Sequence, residues 1–588
     1  MRRNDSSLAN HENAQLRKGL ILSYKTLYGV ETYLWLFSAL LTASLFLFPA
    51  NFAYRLTPIQ SLSVFGKLFP LFSVLYYFWL FLLFILAAIA QEKKSTVKGA
   101  VLVIFFIVIQ IGFWIIPTNF PIPKSDGTLA LAYISELVSK GHLLGTASQG
   151  LSYFYTWPAI DLFVAVLVHV TILNTAESMV LTIFVMVLTT GVFVYFLFRE
   201  LLQSVLFAFV ACVLYFYASV YAQNSVFTTL IFGWALYAAT LWLLIRALRR
   251  KAVTGTVLGI LLLFVIGTSL GEFITSLIIA STLLALLLFR VEIRRLGRLA
   301  TASVLFTVLV PMFSAGGLGF LSLAEGFLHG ALGISAFRAA YDSKIVYNIP
   351  VWVGYLALFW QLVLIAPVPF IILMFVTKRF HNQYAHFISA STVGMLMFSL
   401  AMATGGPSYL SFVLLVFPIF TVPFIFIAAV EMSKRRIFVF FVLIVMVFSL
   451  SLPTFVAYNR NQAIYGYNSS DVAGYSYLQT SFPWGSGNSI LGSQETLPPP
   501  FLEPNTNIVA LTITSYYNQT QFWGNWQSLM SSIHIQAPEN LAVFSPHSVF
   551  PVATLLGVPP NDAHWKSVEE QLQAHDVIYN NNELSMYV

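Results

Sequence analysis

Of the chain's 588 residues, 58% are hydrophobic, 16% aromatic and only 9% charged, and the mean hydropathy is +0.80. A soluble domain carries about 25% charged residues, so this composition excludes an ordinary soluble enzyme and places the chain among membrane proteins. The formal net charge of +7 needs no nucleic acid to explain it, because its placement along the chain does so, and the single cysteine, Cys212, excludes a disulfide framework, a thiolate metal cluster and paired redox chemistry.

Residues 1–30 form a polar, basic tail ("MRRNDSSLANHENAQLRKGL…") without the apolar run and small-residue cleavage site of a signal peptide. Apolar runs then recur at the length of about 20 residues that crosses a hydrocarbon core of about 30 Å. They predict a polytopic α-helical membrane protein of about thirteen transmembrane helices. The expected starts lie near Glu31, Phe69, Lys98, Ser178, Ser204, Val226, Val253, Phe273, Leu299, Asn348, Ala385, Tyr409 and Ile437. The run 158–173 is a further candidate, and the basic residues test it. With a cytoplasmic N-terminus, most lysines and arginines fall on the cytoplasmic side, among them "RALRRK" (246–251), "RVEIRR" (290–295), "KRF" (378–380) and "SKRR" (433–436). Counting 158–173 as a full span would move every later basic loop to the other side, so this run is expected to lie in the interface or to re-enter. Cys212, inside an apolar run, reads as a small buried apolar residue. The basic loops read as topology signals and contacts to anionic lipid.

The expected organisation is a cytoplasmic tail 1–30, two accessory spans in 31–97, a transmembrane core 98–457 with an outer loop 117–177, and an extracytoplasmic C-terminal mixed α/β domain 458–588. The chain is thereby assigned to the cell membrane as a multi-pass protein. In the last segment "NIVALTITSYY" and "NLAVFS" alternate as strands do. "HDVIYNNNELSMYV" reads as a hairpin with Asn580-Asn581 in its turn. Two N-x-S/T sequons, at Asn468 and Asn518, suit an outside location.

Within the outer loop, "IPKSDGTLALAYISELVSKGHL" (122–143) opens on Ser125-Asp126-Gly127 and continues as an amphipathic repeat. Leu131, Ile134, Leu137 and Val138 share one face, Thr128, Ser135, Ser139 and Lys140 the other, and Gly141 is the stop signal. This is an interfacial helix. Asp126 or Ser125 at its head can be a plain N-cap, since an anion there suits the helix dipole. Tyr and Trp of "YFYTWP" are interface anchors, and Tyr155 among them could also stack on a pyranose.

The stretches "SDGTLALAYISELVSKGHL", "YFYTWPAIDLFVAVLVHV" and "ESMVLTIFVMVLTTGVFVYFLFREL" together resemble the first outer loop of the GT-C superfamily of membrane glycosyltransferases, which use polyprenyl-phosphate sugars. "YFYASVYAQNSVFTTLIFGWALYAATLWLLIR", with Gln223, resembles the second outer turn of archaeal-type members; "GGPSYLSFVLLVFPIFTVPFIF" resembles their late GG-x-Y turn, and the terminal hairpin their closing segment. The resemblance covers roughly residues 100–588. It implies a polyprenyl-phosphate sugar donor, membrane lipids as surroundings, an extracytoplasmic glycan, lipid or protein acceptor, and Asp126 as general base. The chain departs from the family where Glu272 stands in the region of a frequent His, where Ser411 stands near a frequent Arg, and where Asp126 stands without a second acid. It also lacks the WWD-type signature of oligosaccharyltransferases, since "FWGNWQSL" has no acid, which argues against transfer of whole oligosaccharides to asparagine.

Such a transfer needs a base for the acceptor hydroxyl and a cation for the leaving phosphate. The outer cations are Lys124, Lys140, Arg338 and Lys344, the last two flanking Asp342 in "SAFRAAYDSKIVYN". They are donor- or acceptor-binding candidates or a solvated loop. Glu272 sits in a short turn between spans, where an acid at the interface is tolerated. Asp161 and His169, eight residues apart on the interfacial run, come near one helical face, and Asp161 can equally cap after Pro158. Glu325 and His329 have an i,i+4 spacing open to a metal ion or to a simple surface pair; no metal site is assigned, and the cofactor is left open, a divalent metal included. Two other functions compete: a catalytically inactive scaffold on the GT-C plan, and a transporter or flippase of lipid-linked glycans. The absence of an internal repeat and of acids deep inside spans disfavours the transporter.

Overall fold

The computed structural model describes residues 30–46, 58–115, 158–218, 229–250, 254–293, 295–313, 366–376, 383–403, 417–432 and 442–451, with isolated positions within 130–141, 359–363 and 566–570, and the strand residues 489–493, 507–511, 540–544, 577–580 and 585–587. The helices are α1 (Val30–Phe46), α2 (Pro58–Glu92), α3 (Thr96–Ile115), α4 (Ala159–Val170), α5 (Thr175–Leu202), α6 (Val205–Ala218) and α7 (Thr229–Arg250). They continue as α8 (Gly255–Gly271), α9 (Phe273–Leu288), α10 (Leu296–Phe313), α11 (Pro367–Val376), α12 (Gln383–Ala403), α13 (Pro418–Met432) and α14 (Val442–Ser451). The chain is mostly helical. Among the described residues, Val74–Glu92, Thr175–Leu202 and Ile231–Arg250 are each long and apolar enough to cross a membrane alone.

Helix starts follow local chemistry. α5 begins with a capping box: Asn174 Oδ1 accepts from Glu177 N–H and Glu177 Oε2 accepts from Asn174 N–H, both at 2.9 Å. Nine of the helices, including α1, α3 and α5 to α10, begin within a turn of the expected positions. α2 instead begins at Pro58, eleven residues before Phe69, because proline suits the first helical turn, where its missing N–H is not needed. The amphipathic stretch behaves as expected where it is described: Ala130, Tyr133, Ile134 and Leu137 are buried, Ser139 is exposed, and Gly141 takes φ +69° with its N–H on Leu137 O at 2.9 Å.

Helices approach closely where side chains are small. A Cβ on Gly99 would lie 1.9 Å from Tyr195 Oη, and one on Gly191 1.8 Å from Ile107 Cδ1, so each glycine of α3 and α5 makes room for a side chain of the facing helix. Small residues at such crossings are how helices gain packing when lipid supplies no hydrophobic drive between them. Cys212 is buried, its Sγ 3.7 Å from Gly191 O, as a small core residue.

The five strands form one mixed sheet in the order β2-β1-β3-β5-β4, from β1 (Ser489–Ser493), β2 (Asn507–Leu511), β3 (Asn540–Phe544), β4 (Val577–Asn580) and β5 (Ser585–Tyr587). β1 runs parallel to β2 and β3, while β5 runs antiparallel to β3 and β4. β2, β3 and the terminal hairpin fall on the segments whose alternation predicts them. The turn differs by one residue: Asn580, expected in the turn, is the last residue of β4, paired with Ser585, so the connection is 581–584.

Candidate active site at the loop end of the bundle

Side-chain contacts between helix ends define two ends of the bundle. At one, Lys93 after α2 and Lys98 in α3 both donate to the carboxylate of Glu31 at the start of α1. There Gln91 Oε1 also accepts from Ser204 Oγ at 3.1 Å and from Val205 N–H at 2.6 Å, and Arg249 reaches Glu200 at 3.3 Å. This is the basic end. At the opposite, loop end, Tyr76 bonds Tyr217 and accepts from Gln110 Nε2 at 2.8 Å, and Ser451 Oγ lies 3.3 Å from Tyr77 Oη.

The start of α4 docks into this loop end. A Cβ on Gly271 would meet Phe232 Cδ1 at 2.4 Å and Ala159 Cβ at 3.6 Å, and one on Gly233 would meet Thr275 Oγ1 at 2.5 Å. The first turn of α4, the first turns of α7 and α9, and the turn between α8 and α9 therefore come together. Two sequence-predicted acids stand on these elements, Asp161 on α4 and Glu272 in the turn.

The two acids have different surroundings. Glu272 is 1% exposed and serves as C-cap of α8 and N-cap of α9, its two carboxylate oxygens accepting from Ile274 N–H at 2.9 Å and from Thr275 N–H. That is a satisfied cap whose charge suits the N-terminal dipole of α9. Asp161 lies on the buried stripe Ile160, Asp161, Val164 and Ala165, is fully buried, and neither carboxylate oxygen has a hydrogen-bond partner among the described residues. The N-cap position, Pro158, has no side-chain cap bond, so Asp161 is not the capping residue that its place after Pro158 suggests. Nor does it share a face with His169, which is exposed; eight residues at 100° each leave the two about 80° apart. Because α4 at 12 residues rises only about 18 Å, it is too short to span, in keeping with an interfacial or re-entrant helix. Burial pushes the Asp161 carboxyl well above the usual carboxylate range, because a buried anion loses its solvation.

Further polar groups at this end escape the sequence reading. Ser178 Oγ in the first turn of α5, Trp234 Nε1 in α7 and Thr275 Oγ1 in α9 are buried without hydrogen-bond partners among the described residues. Ser269, Ser276 and Thr307 form a hydroxyl chain from α8 through α9 to α10, at 2.9 Å and 2.6 Å. Nothing in a single sequence separates such hydroxyls from the many Ser and Thr that bond back to their own helix, as Thr182 does to Ser178 O. Asp161 did carry a signal: an acid at a position where the 3.6-residue pattern calls for an apolar residue. Each buried group without a partner costs about 1–3 kcal/mol, and groups of this kind can donate to or accept from a polyhydroxylic ligand. Lys124, Asp126, Lys140, Tyr155, Gln223, Glu325, His329, Arg338, Asp342, Lys344, Ser411, Asn468 and Asn518 lie outside the described residues.

No protein-family model matches the chain, and no curated protein matches it. Among solved structures it is similar to an oligosaccharyltransferase of Archaeoglobus fulgidus in its apo form, at 10% identity and a TM-score of 0.47 over 84% of this chain and 74% of that one. It is also similar to ArnT of Cupriavidus metallidurans bound to undecaprenyl phosphate, at 12% identity and a TM-score of 0.43 over 85% of this chain and 98% of that one.

Proposed function

We propose that this chain is a membrane glycosyltransferase that moves a sugar from a polyprenyl-phosphate donor to an extracytoplasmic glycan, lipid or protein, with Asp126 as general base. The acceptor hydroxyl attacks the anomeric carbon, its proton passes to the carboxylate, and the bond from that carbon to the phosphate oxygen breaks. The departing polyprenyl phosphate takes the electron pair and is held by a cation from Lys124, Arg338 or Lys344. Asp161, Glu272, Tyr155, Gln223 and Asp342 belong to the binding surface in this reading.

The observation that carries it is the Asp161 environment: a buried acid with no hydrogen-bond partner among the described residues, at the start of a short helix, beside the Glu272 turn, on the end of the bundle opposite the basic loops. Buried unsatisfied polar groups are rare in folded proteins and gather where a ligand completes them. The loop preceding this helix is the one whose residues resemble the GT-C first outer loop.

The test is transfer in liposomes from radiolabelled polyprenyl-phosphate sugars, with native membrane extract as acceptor source, comparing wild type with Asp126→Asn. Transfer by wild type that falls about 100-fold in the variant at unchanged thermal stability supports Asp126 as base. Equal transfer by both overturns that role. Silence of both, with a less stable variant, favours the inactive scaffold, for which the capping of α9 by Glu272 already supplies a purely structural use of one acid.

A further inference from the structure

The turn joining α9 to α10 sits at the basic end. Gly233 of α7 packs beside Thr275 of α9 at the loop end, so the two helices run in the same sense and α9 finishes near the level of Arg249. This turn is built with unusual backbone choices. Val291 N–H bonds Leu286 O at 2.9 Å and Arg290 N–H bonds Leu287 O at 3.0 Å, the paired bonds of a Schellman motif. The residue at the left-handed position of that motif is ordinarily glycine, yet here it is Arg290, at φ +53°. Arg295, just before α10, is left-handed as well, at φ +69°. Two arginines thus occupy positions that any L side chain disfavours, at the two ends of one short turn. An observed backbone outlier of this kind points toward a functional constraint.

What holds the strained turn in place is visible. Val291 and Ile293 are each 6% exposed and anchor it in the core, and His386 Nε2 of α12 lies 3.1 Å from Phe289 O at the exit of α9. The turn walls a cleft of about 470 Å³ lined by Leu287, Arg290, Glu292, Arg295 and Leu296 among others. Both lining arginines are exposed and neither makes an ion pair among the described residues, whereas Glu292 is already engaged. Running up to the cleft along α9 is an exposed apolar stripe, Leu284, Leu287 and Leu288, continued on α10 by Val304, Leu305 and Val308. The surface is therefore cationic at its end and greasy along its length.

We propose that the α9–α10 turn is a binding site for an anionic phospholipid, its phosphate taken by Arg290 and Arg295 and its acyl chains laid on the leucine stripe. Arginine suits this ligand because its guanidinium presents donors in a planar fork matched to phosphate oxygens. Basic pockets between helices at the membrane surface take such headgroups. The unpaired cations choose the anionic lipid over a zwitterionic one, and the stripe chooses a lipid over a free anion.

The experiment uses the purified full chain in detergent, titrated with phosphatidylglycerol, phosphatidylcholine or inorganic phosphate. Lipid adducts are counted by native mass spectrometry, and thermal stability is read in parallel. Phosphatidylglycerol is expected to stay bound and raise Tm, while phosphatidylcholine and inorganic phosphate do neither. Arg290→Gly separates binding from structure, since glycine is at home in the left-handed position. The variant should keep or exceed the wild-type Tm without lipid, yet bind phosphatidylglycerol about tenfold or more weakly. Arg295→Gln should weaken binding similarly. Equal retention of both lipids, an Arg290→Gly variant with wild-type affinity, or a phosphate-induced shift as large as the lipid's would each overturn the proposal.

Discussion

A carboxylic acid buried without a partner is a liability in proportion to how far its pKa rises, and Asp161 makes that liability measurable. Its folded-state pKa lies above the ordinary aspartate value because burial disfavours the anion. Below about pH 4 the acid is protonated in both states and contributes nothing to the pH dependence. As pH rises through the unfolded value the unfolded chain releases the proton and the folded chain keeps it. Stability then falls by about 1.4 kcal/mol per pH unit until the folded pKa is passed. Asp161→Asn removes this loss. Its Tm should match wild type near pH 4 and exceed it at pH 7.5, and a Tm difference independent of pH would show that the acid is not held protonated. If the proposed function holds, the more stable variant should also transfer sugar more slowly, the pattern expected when a site residue is kept against its stability cost. Glu272 should behave in the opposite way. Glu272→Ala frees two backbone donors at the start of α9, and a loss of about 1–2 kcal/mol is expected in chemical denaturation.

At the scale of elements, helix crossings are set by glycines that differ in what a side chain would strike. At Gly191 an added Cβ meets the end of Ile107, a side chain that can turn away, whereas at Gly394 it would stand 2.7 Å from Ser281 O, a backbone atom of α9. Gly394→Ala should therefore force α12 from α9 and cost about 1–3 kcal/mol, with Gly191→Ala milder. Comparable Tm values for the two variants would count against this packing. Element positions were largely readable in advance, because span length follows from bilayer thickness and starts follow from caps such as Asn174-x-x-Glu177. Asn580 fell in the strand rather than in the turn because hairpin register depends on pairing with β5, which local turn preference does not see.

For the whole molecule, α1 is tied to the end of α2 and the start of α3 through Glu31, whose one buried carboxylate serves both Lys93 and Lys98. The lysines keep about a third of their surface in solvent, so screening reduces what each bond contributes. Glu31→Ala should lower stability by about 1–2 kcal/mol and increase protease access to the segment before α2. Orientation can be read by cysteine labelling in a Cys212→Ala background. Cysteine at Arg250 should react only from the cytoplasmic side, and cysteine at Asn468 only from the outside. Labelling of both from one side would reverse the assignment of the tail and the C-terminal segment.

Composition and the period of apolar residues were enough to point to a helical membrane protein, to the starts of nine of its helices, to a run after Pro158 that does not span, and to the stop at Gly141. Each of these depends on solvent transfer and local backbone chemistry, which act on neighbouring residues. The fate of the acids depended on packing between residues far apart in the chain. Glu272 and Asp161 are equally plain as acids at helix ends, yet one is satisfied by the helix that follows it. The other lies on the buried face of α4, whose first turn meets the glycine-lined turn between α8 and α9, and has no hydrogen-bond partner among the described residues. Similarly, no reading of "RVEIRR" could show that Arg290 completes a helix end in a glycine's conformation, because that conformation is imposed by the bonds and anchors of the folded turn.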